Sequence, residues 1–257
     1  MYQSLSVISN HLFTDSLNSS QAVISKLAER GPVTKSVYSY VNQVVYEWQH
    51  KRTIDPYTVR LELQQSAGMM KAFGSLQYKW CVTRRQSIDI RVFAGAFVSG
   101  TTANKGVYAF RASGYNGSQD YLFDGNYAAR NEGNGFGAAQ FMDRDGAMKV
   151  WTPLGQSTEW LAAVNIKTPT LGQLPFKFFA DAVFCDGRAL AKDPFLWDAG
   201  VSMVLWKDFV EVYLPLAYNA DIKNTLQLNN IDWAHRIRFI FNIHKLAPKR
   251  IVQDNLF

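Results

Sequence analysis

The side chains that could do chemistry are scattered along the chain. Its four histidines, His11, His50, His235 and His244, form no HExxH pair, so the helical zinc site of a metallopeptidase is missing. His235 and His244 lie in or beside one late alternating segment, an odd number of positions apart and so on opposite faces, which suits structural roles better than joint ligation. Gly133-Asn134-Gly135-Phe136-Gly137 imitates a phosphate loop but lacks the preceding strand, the following helix and the Lys-Ser/Thr pair. Asp143-Arg144-Asp145-Gly146 begins like a calcium loop without the rest of that pattern. It reads better as a turn in which Gly146 supplies positive φ. No GxSxG elbow and no Ser/His/Asp set can be named. The expectation is therefore no catalytic residue, no metal ligand and no cofactor. A divergent enzyme would have to use carboxylates between Asn116 and Glu132.

Cys81 and Cys185 have neither CxxC nor metal-ligand spacing and read as two half-buried thiols, although a bridge between them is open at this stage. The net charge of +6 comes without a run of five or six like charges, so nucleic acid is not an expected partner. With 47% hydrophobic and 19% charged residues the chain can bury a large core and is no disordered tail. No stretch of eighteen apolar residues exists for a transmembrane helix.

The elements that must position these groups are strands. Up to about Pro56 the pattern is mixed, and a polar helix is expected over Gln21 to Arg30. From Thr58 onward the hydrophobic period is two. On one face lie Ile90, Val92, Val164, Phe178, Val201, Met203, Val212, Leu214, Phe239 and Phe241. On the other lie Asp89, Arg91, Lys177, Asp181, Glu211, Arg236 and Arg238. Several runs approach the roughly 9–11 residues that a tilted strand needs to cross a bilayer. Short turns (83–86, 170–173, 207–208) alternate with longer polar connections (100–105, 186–193, 219–234), which in an up-and-down barrel gathers the long loops at one end. Trp80, Trp151, Trp160, Trp197, Trp206 and Tyr218 fall near strand ends, as interfacial girdles do.

The expected fold is all-β: an antiparallel up-and-down β-barrel of about ten strands, of outer-membrane type, with a short N-terminal helical segment. The expected division is a helical or linker segment over 1–56, the barrel over 57–248 and a tail over 249–257. The first group of side chains would face outer-membrane lipid and the second the barrel interior. About ten strands would leave the lumen largely filled by side chains. Met1 to Lys26 lacks the basic start and apolar run of a signal peptide, so an export signal to the bacterial outer membrane is expected upstream. The alternative is a soluble β-barrel or sandwich that binds a partner or small ligand.

GYNGSQDYLFD at 114–124 and ARNE at 129–132 resemble a segment in the C-terminal domains of Bacteroidota cell-envelope metallopeptidases. Those proteins are similar to membrane alanyl aminopeptidases of the gluzincin class. IDIRVFAG at 88–95, WLAAVNIK at 160–167, LPFKFFAD at 174–181, EVYLPL at 211–216 and RIRFIFNI at 236–243 follow the same order. The resemblance spans Thr58 to Pro248 and rests on several short motifs. It implies a non-catalytic membrane-anchoring barrel behind an upstream peptidase-like domain, with no catalytic residue carried over. The chain departs from that pattern at its end, where Phe257 lies well past the last strand and Pro248.

Overall fold

Alternating β-branched and aromatic residues favour extended, half-buried chain, and they form ten antiparallel strands in a single sheet. The computed structural model describes residues 1–17, 34–83, 86–100, 108–130, 136–172, 174–186, 194–206 and 209–241. The strands are β1 (Tyr2–Leu17), β2 (Thr34–His50), β3 (Tyr57–Ser66), β4 (Met69–Thr83), β5 (Gln86–Gly100), β6 (Trp160–Lys167), β7 (Phe176–Cys185), β8 (Phe195–Trp206), β9 (Val210–Tyr218) and β10 (Arg238–Phe241). Each pairs with its neighbour in sequence, so the order is β1 through β10 and β1 and β10 are the edges. Among the described residues one α-helix, α1 (Ala220–Leu228), lies between β9 and β10.

The N-terminal expectation is corrected. Residues 2–17 and 34–50 are strands rather than a helical or linker segment, and β2 pairs with β3 from Asn42↔Gln65 to His50↔Tyr57 across the expected boundary at 56. Ser and Asn made this region look like a polar helix, but the ladder supplies backbone partners that outweigh single-residue propensity. The helix expected over Gln21 to Arg30 lies outside the described residues, as does the tail over 249–257.

Turn chemistry fixes the registers. Ser66↔Met69 closes the β3–β4 hairpin over Ala67-Gly68, where Gly68 takes φ 77°, open to glycine at no steric cost. Pro215 cannot donate to a ladder, and it sits where the β8–β9 register shifts between Ala199 and Gly200.

Short connections join β2–β3, β4–β5, β6–β7 and β8–β9 at one end of the sheet. The opposite end carries β1–β2, β5–β6, β7–β8, β9–β10 and one tight turn, Ala67-Gly68. In the longest connection, 101–159, the described residues do not project outward. They touch inward-facing side chains from β3 to β10, so the sheet must curl around them: Tyr121 Oη donates to Gln64 at 2.6 Å, Lys71 Nζ to the Tyr108 carbonyl at 2.9 Å, and Arg238 to the Gly114 carbonyl at 3.0 Å.

Candidate functional site: two faces of the sheet and the inserted segment

The register sorts every described strand into two faces. Across the sheet the rows read Val7, Val44, Leu63, Ala72, Ala96 and Trp160 at one level, then Tyr78, Ile90, Ile166, Ala180, Ala199 at another. No Asp, Glu, Lys or Arg interrupts these rows. Many of their large side chains are open: Leu61, Leu76, Val92, Phe178, Phe184 and Trp160 are all exposed. Water-soluble proteins seldom leave so continuous an apolar surface uncovered.

Aromatic residues gather at both borders of this outer face. Trp48, Tyr57, Tyr78 and Trp80 lie toward the short-turn end, with Trp48 and Tyr57 in edge contact at 5.7 Å. Trp160, Phe184, Phe195 and Trp197 lie toward the long-connection end, with Phe184 and Phe195 at 4.8 Å. Along β5, from Ile88 beside Trp80 to Ala96 beside Trp160, the borders are about 27 Å apart at ~3.4 Å per residue. Two expected girdle members fall elsewhere. Trp151 belongs to the inserted segment, and Tyr218 is paired with the inward Asp198; both pack against the interior cluster. The Trp206 side chain lies outside the described residues.

The inner face has two zones. Toward the long connections, Phe93, Leu161, Val183, Cys185 and Leu196 from the wall meet Phe110, Met148, Val150 and Leu154 from the inserted segment, and Ile222 and Leu226 of α1 close the cluster. Phe110 makes edge contacts with Phe73, Phe93 and Phe97 at 5.3–6.1 Å. Toward the short turns the inner face is charged, and the chain supplies its own partners. Asp181 accepts from Asn165 Nδ2 at 2.9 Å and from the Lys149 amide at 3.2 Å, while Lys149 Nζ lies 3.5 Å from Asp181 and 3.4 Å from Asp143. Arg91 donates to the Asp145 carbonyl at 2.7 Å and to Asn165 Oδ1 at 2.9 Å. Glu211 receives Lys167 at 3.2 Å and Ser202 at 2.7 Å. Arg238, fully enclosed, donates to the carbonyls of Met148, Lys149 and Gly114 and lies 4.2 Å from the Phe141 ring.

The inserted segment is ordered by similar means. Asp120 is sealed, receiving Arg130 at 2.9 Å, Arg144 at 3.0 Å and the Gly125 amide at 2.9 Å; Arg144 also pairs with Asp124. Burial would lower the Arg144 pKa, but Asp124 and Asp120 raise it above the ordinary arginine value. Burial raises the phenols of Tyr115 and Tyr121, with Asp145 adding to both. Burial would raise Asp143, yet Lys149, Lys167 and Arg91 hold its carboxyl below the usual value. Two carboxylates of the 116–132 stretch, Asp120 and Asp124, are thus engaged by arginines.

Among the expected interior charges, Asp89, Arg91, Lys177, Asp181, Glu211 and Arg238 share the inner face. Arg236 does not: β10 starts two residues later, and Arg236 lies in a 3-10 turn, donating to Tyr218 Oη at 2.7 Å and to the Ile231 carbonyl. The ten expected lipid-facing residues all lie on the outer face by register, but Phe239 is covered, at 4% exposure, because the Phe136 ring stacks on it at 4.4 Å. The same stretch of the inserted segment pairs with the free side of β10, where the Phe141 amide donates to the Phe239 carbonyl at 3.0 Å.

The expected turn at 143–146 is present, closed by the Ala147 amide on the Arg144 carbonyl at 3.0 Å, but positive φ falls on Asp145 and Ala147. Glycine is needed at 146 for approach, since a Cβ there would stand 2.5 Å from the Ala112 carbonyl oxygen. The glycine-rich 133–137 stretch lies largely outside the described residues. Cys81 and Cys185 are free, as opposite ends of the sheet keep them apart. Sequence reasoning missed Glu62, Gln64, Lys71, Lys149 and Asp198, all buried and polar. For Glu62, Gln64 and Lys71 the signal was available, because each alternates with an outer-face residue.

Comparison of the chain with protein-family models, with characterised proteins and with solved structures finds no match.

Proposed function

We propose that this chain is an outer-membrane-type β-barrel whose lumen is blocked by its own inserted segment, serving as a non-catalytic membrane anchor. The observation that carries the reading is the contrast between the faces. Between the two aromatic borders an apolar surface without Asp, Glu, Lys or Arg lies outside, and paired charges lie inside around a folded segment of the same chain. Lipid replaces water as the solvent of the first face, and the interior ion pairs satisfy groups that could not be left bare. The aromatic borders, about 27 Å apart along the strands, project to roughly 20 Å at the usual barrel tilt, near the height of an outer-membrane apolar band of roughly 25 Å.

An open sheet edge cannot stand in hydrocarbon. The edge of β1 therefore has to find a partner in the membrane, and closure toward β10 and the stretch at Gln140 and Phe141 that borders it supplies one. By resemblance, the anchored cargo is an upstream peptidase-like domain, and the location the bacterial outer membrane.

Refolding the chain with and without micelles, followed by gel migration before and after boiling, tests this. A folded, heat-modifiable band that forms only in detergent is expected. A monodisperse β-rich protein in plain buffer would overturn the membrane reading and favour a soluble module whose outer face binds another protein.

A further inference from the structure

Below the inserted segment, toward the short turns, the inner face lines a solvent-open cleft of about 800 Å³, within the range of small-molecule sites. Its charges are not evenly compensated. Lys167 is taken by Glu211, and Lys149 by Asp143 and Asp181. Arg91 donates to neutral oxygens, the Asp145 carbonyl and Asn165 Oδ1, while its charge also acts on Asp143. The side chains of Lys79, opposite Asp89 in the β4–β5 register, and Lys177 line the same space and make no hydrogen bond or ion pair within 4 Å among the described residues. Asp89 is the remaining carboxylate of the lining. The lining thus carries five cations (Lys79, Arg91, Lys149, Lys167 and Lys177) against three carboxylates (Asp89, Asp143 and Glu211), with Asp181 behind Lys149. A cation excess in a cleft with low-dielectric walls concentrates anions.

We infer that this vestibule binds a small anionic ligand, through a phosphoryl or carboxylate group held between Lys79 and Lys177 with Arg91 behind them. The wall comes from β4 to β10, with no residue of β1, so the site needs neither closure between β1 and β10 nor lipid outside. It stands or falls separately from the anchor reading. Lysine donors suit a point-like anionic group, and the neutral amides of Gln77 and Gln86 in the lining complement the polar remainder of such a ligand.

The test uses the full chain, folded in neutral micelles or, if it proves soluble, in buffer. Binding of pyrophosphate and of citrate is measured by calorimetry at fixed ionic strength, with sucrose as the uncharged control. Saturable one-to-one binding of at least one anion is expected, weakened roughly tenfold or more in the double variant Lys79→Gln/Lys177→Gln. Lys79→Arg/Lys177→Arg should keep binding, and exposed Lys51→Gln should not alter it. Preference for pyrophosphate assigns a phosphoryl ligand and preference for citrate a carboxylate one. In the unsubstituted protein, the bound anion should also shield Lys177 from acylation, read by mass spectrometry. No saturable binding of either anion, or unchanged affinity in the folded double Gln variant, would overturn the inference.

Discussion

The two sides of β7 make the clearest comparison in the molecule. Phe176, Phe178, Ala180, Ala182 and Phe184 look outward and include no polar atom beyond the backbone, whereas Lys177, Phe179, Asp181, Val183 and Cys185 look inward. Asp181 and Val183 are buried while Phe178 and Phe184 are exposed. A water-soluble sandwich would bury the first set and solvate the second. The inversion teaches that this strand carries its solvent preference on its outer side and its specificity on its inner side.

The comparison breaks hardest at Asp181. Asp181→Ala leaves Lys149 enclosed beside Asp143 alone and strips a partner from Asn165, so a loss of about 3–5 kcal/mol is expected in urea refolding. On the other side, Val201→Arg should cost roughly 2–4 kcal/mol in lipid or micelles and reduce the heat-modifiable band. If Val201→Arg refolds as well as the parent chain, the outer face does not meet lipid.

A smaller effect follows from acid. The folded Asp143 carboxyl titrates below its ordinary value, so its contribution is fully present above about pH 4, the unfolded range, and is lost as pH falls through the folded pKa. Protease access to the inserted segment should rise over that acid window, and Asp143→Asn should flatten the dependence. The smallest expected effect is redox. Reductant should leave stability unchanged, with Cys81 reacting with a thiol reagent in the folded protein and buried Cys185 only after unfolding.

Much of the wall was legible, because period-two alternation depends only on neighbouring residues. Ile90 and Val92, or Phe176 and Phe178, declare their face without knowledge of any partner. The interior was legible only by halves. Asp181 and Arg238 announced themselves as charges in apolar strands, yet their partners are Lys149 and the carbonyls of 114, 148 and 149. Those lie in a segment without periodicity, rich in Gly, Asn and Asp, whose order comes from tertiary hydrogen bonds rather than local propensity. The Phe239 surprise has the same origin. Its alternation was read correctly, but Phe136, remote in sequence, covers it. At the N-terminus the failure was local, since serine and asparagine hid two strands that only pairing with β3 reveals.

The placement of the inserted segment has a consequence for how the chain is assembled. β1 to β5 and β6 to β10 are two half-sheets of mostly adjacent hairpins, but β5 finds β6 only after 101–159 has been spanned. Closing that loop costs about 3 kcal/mol more than closing a two-residue turn such as Ala67-Gly68. The cluster around Phe110, Met148 and Leu161 offsets this by joining the segment to both halves at once. The segment is thus the seam along which the two halves meet, and a chain cut between β5 and Tyr108 would still hold the contacts needed to reunite as two complementing fragments.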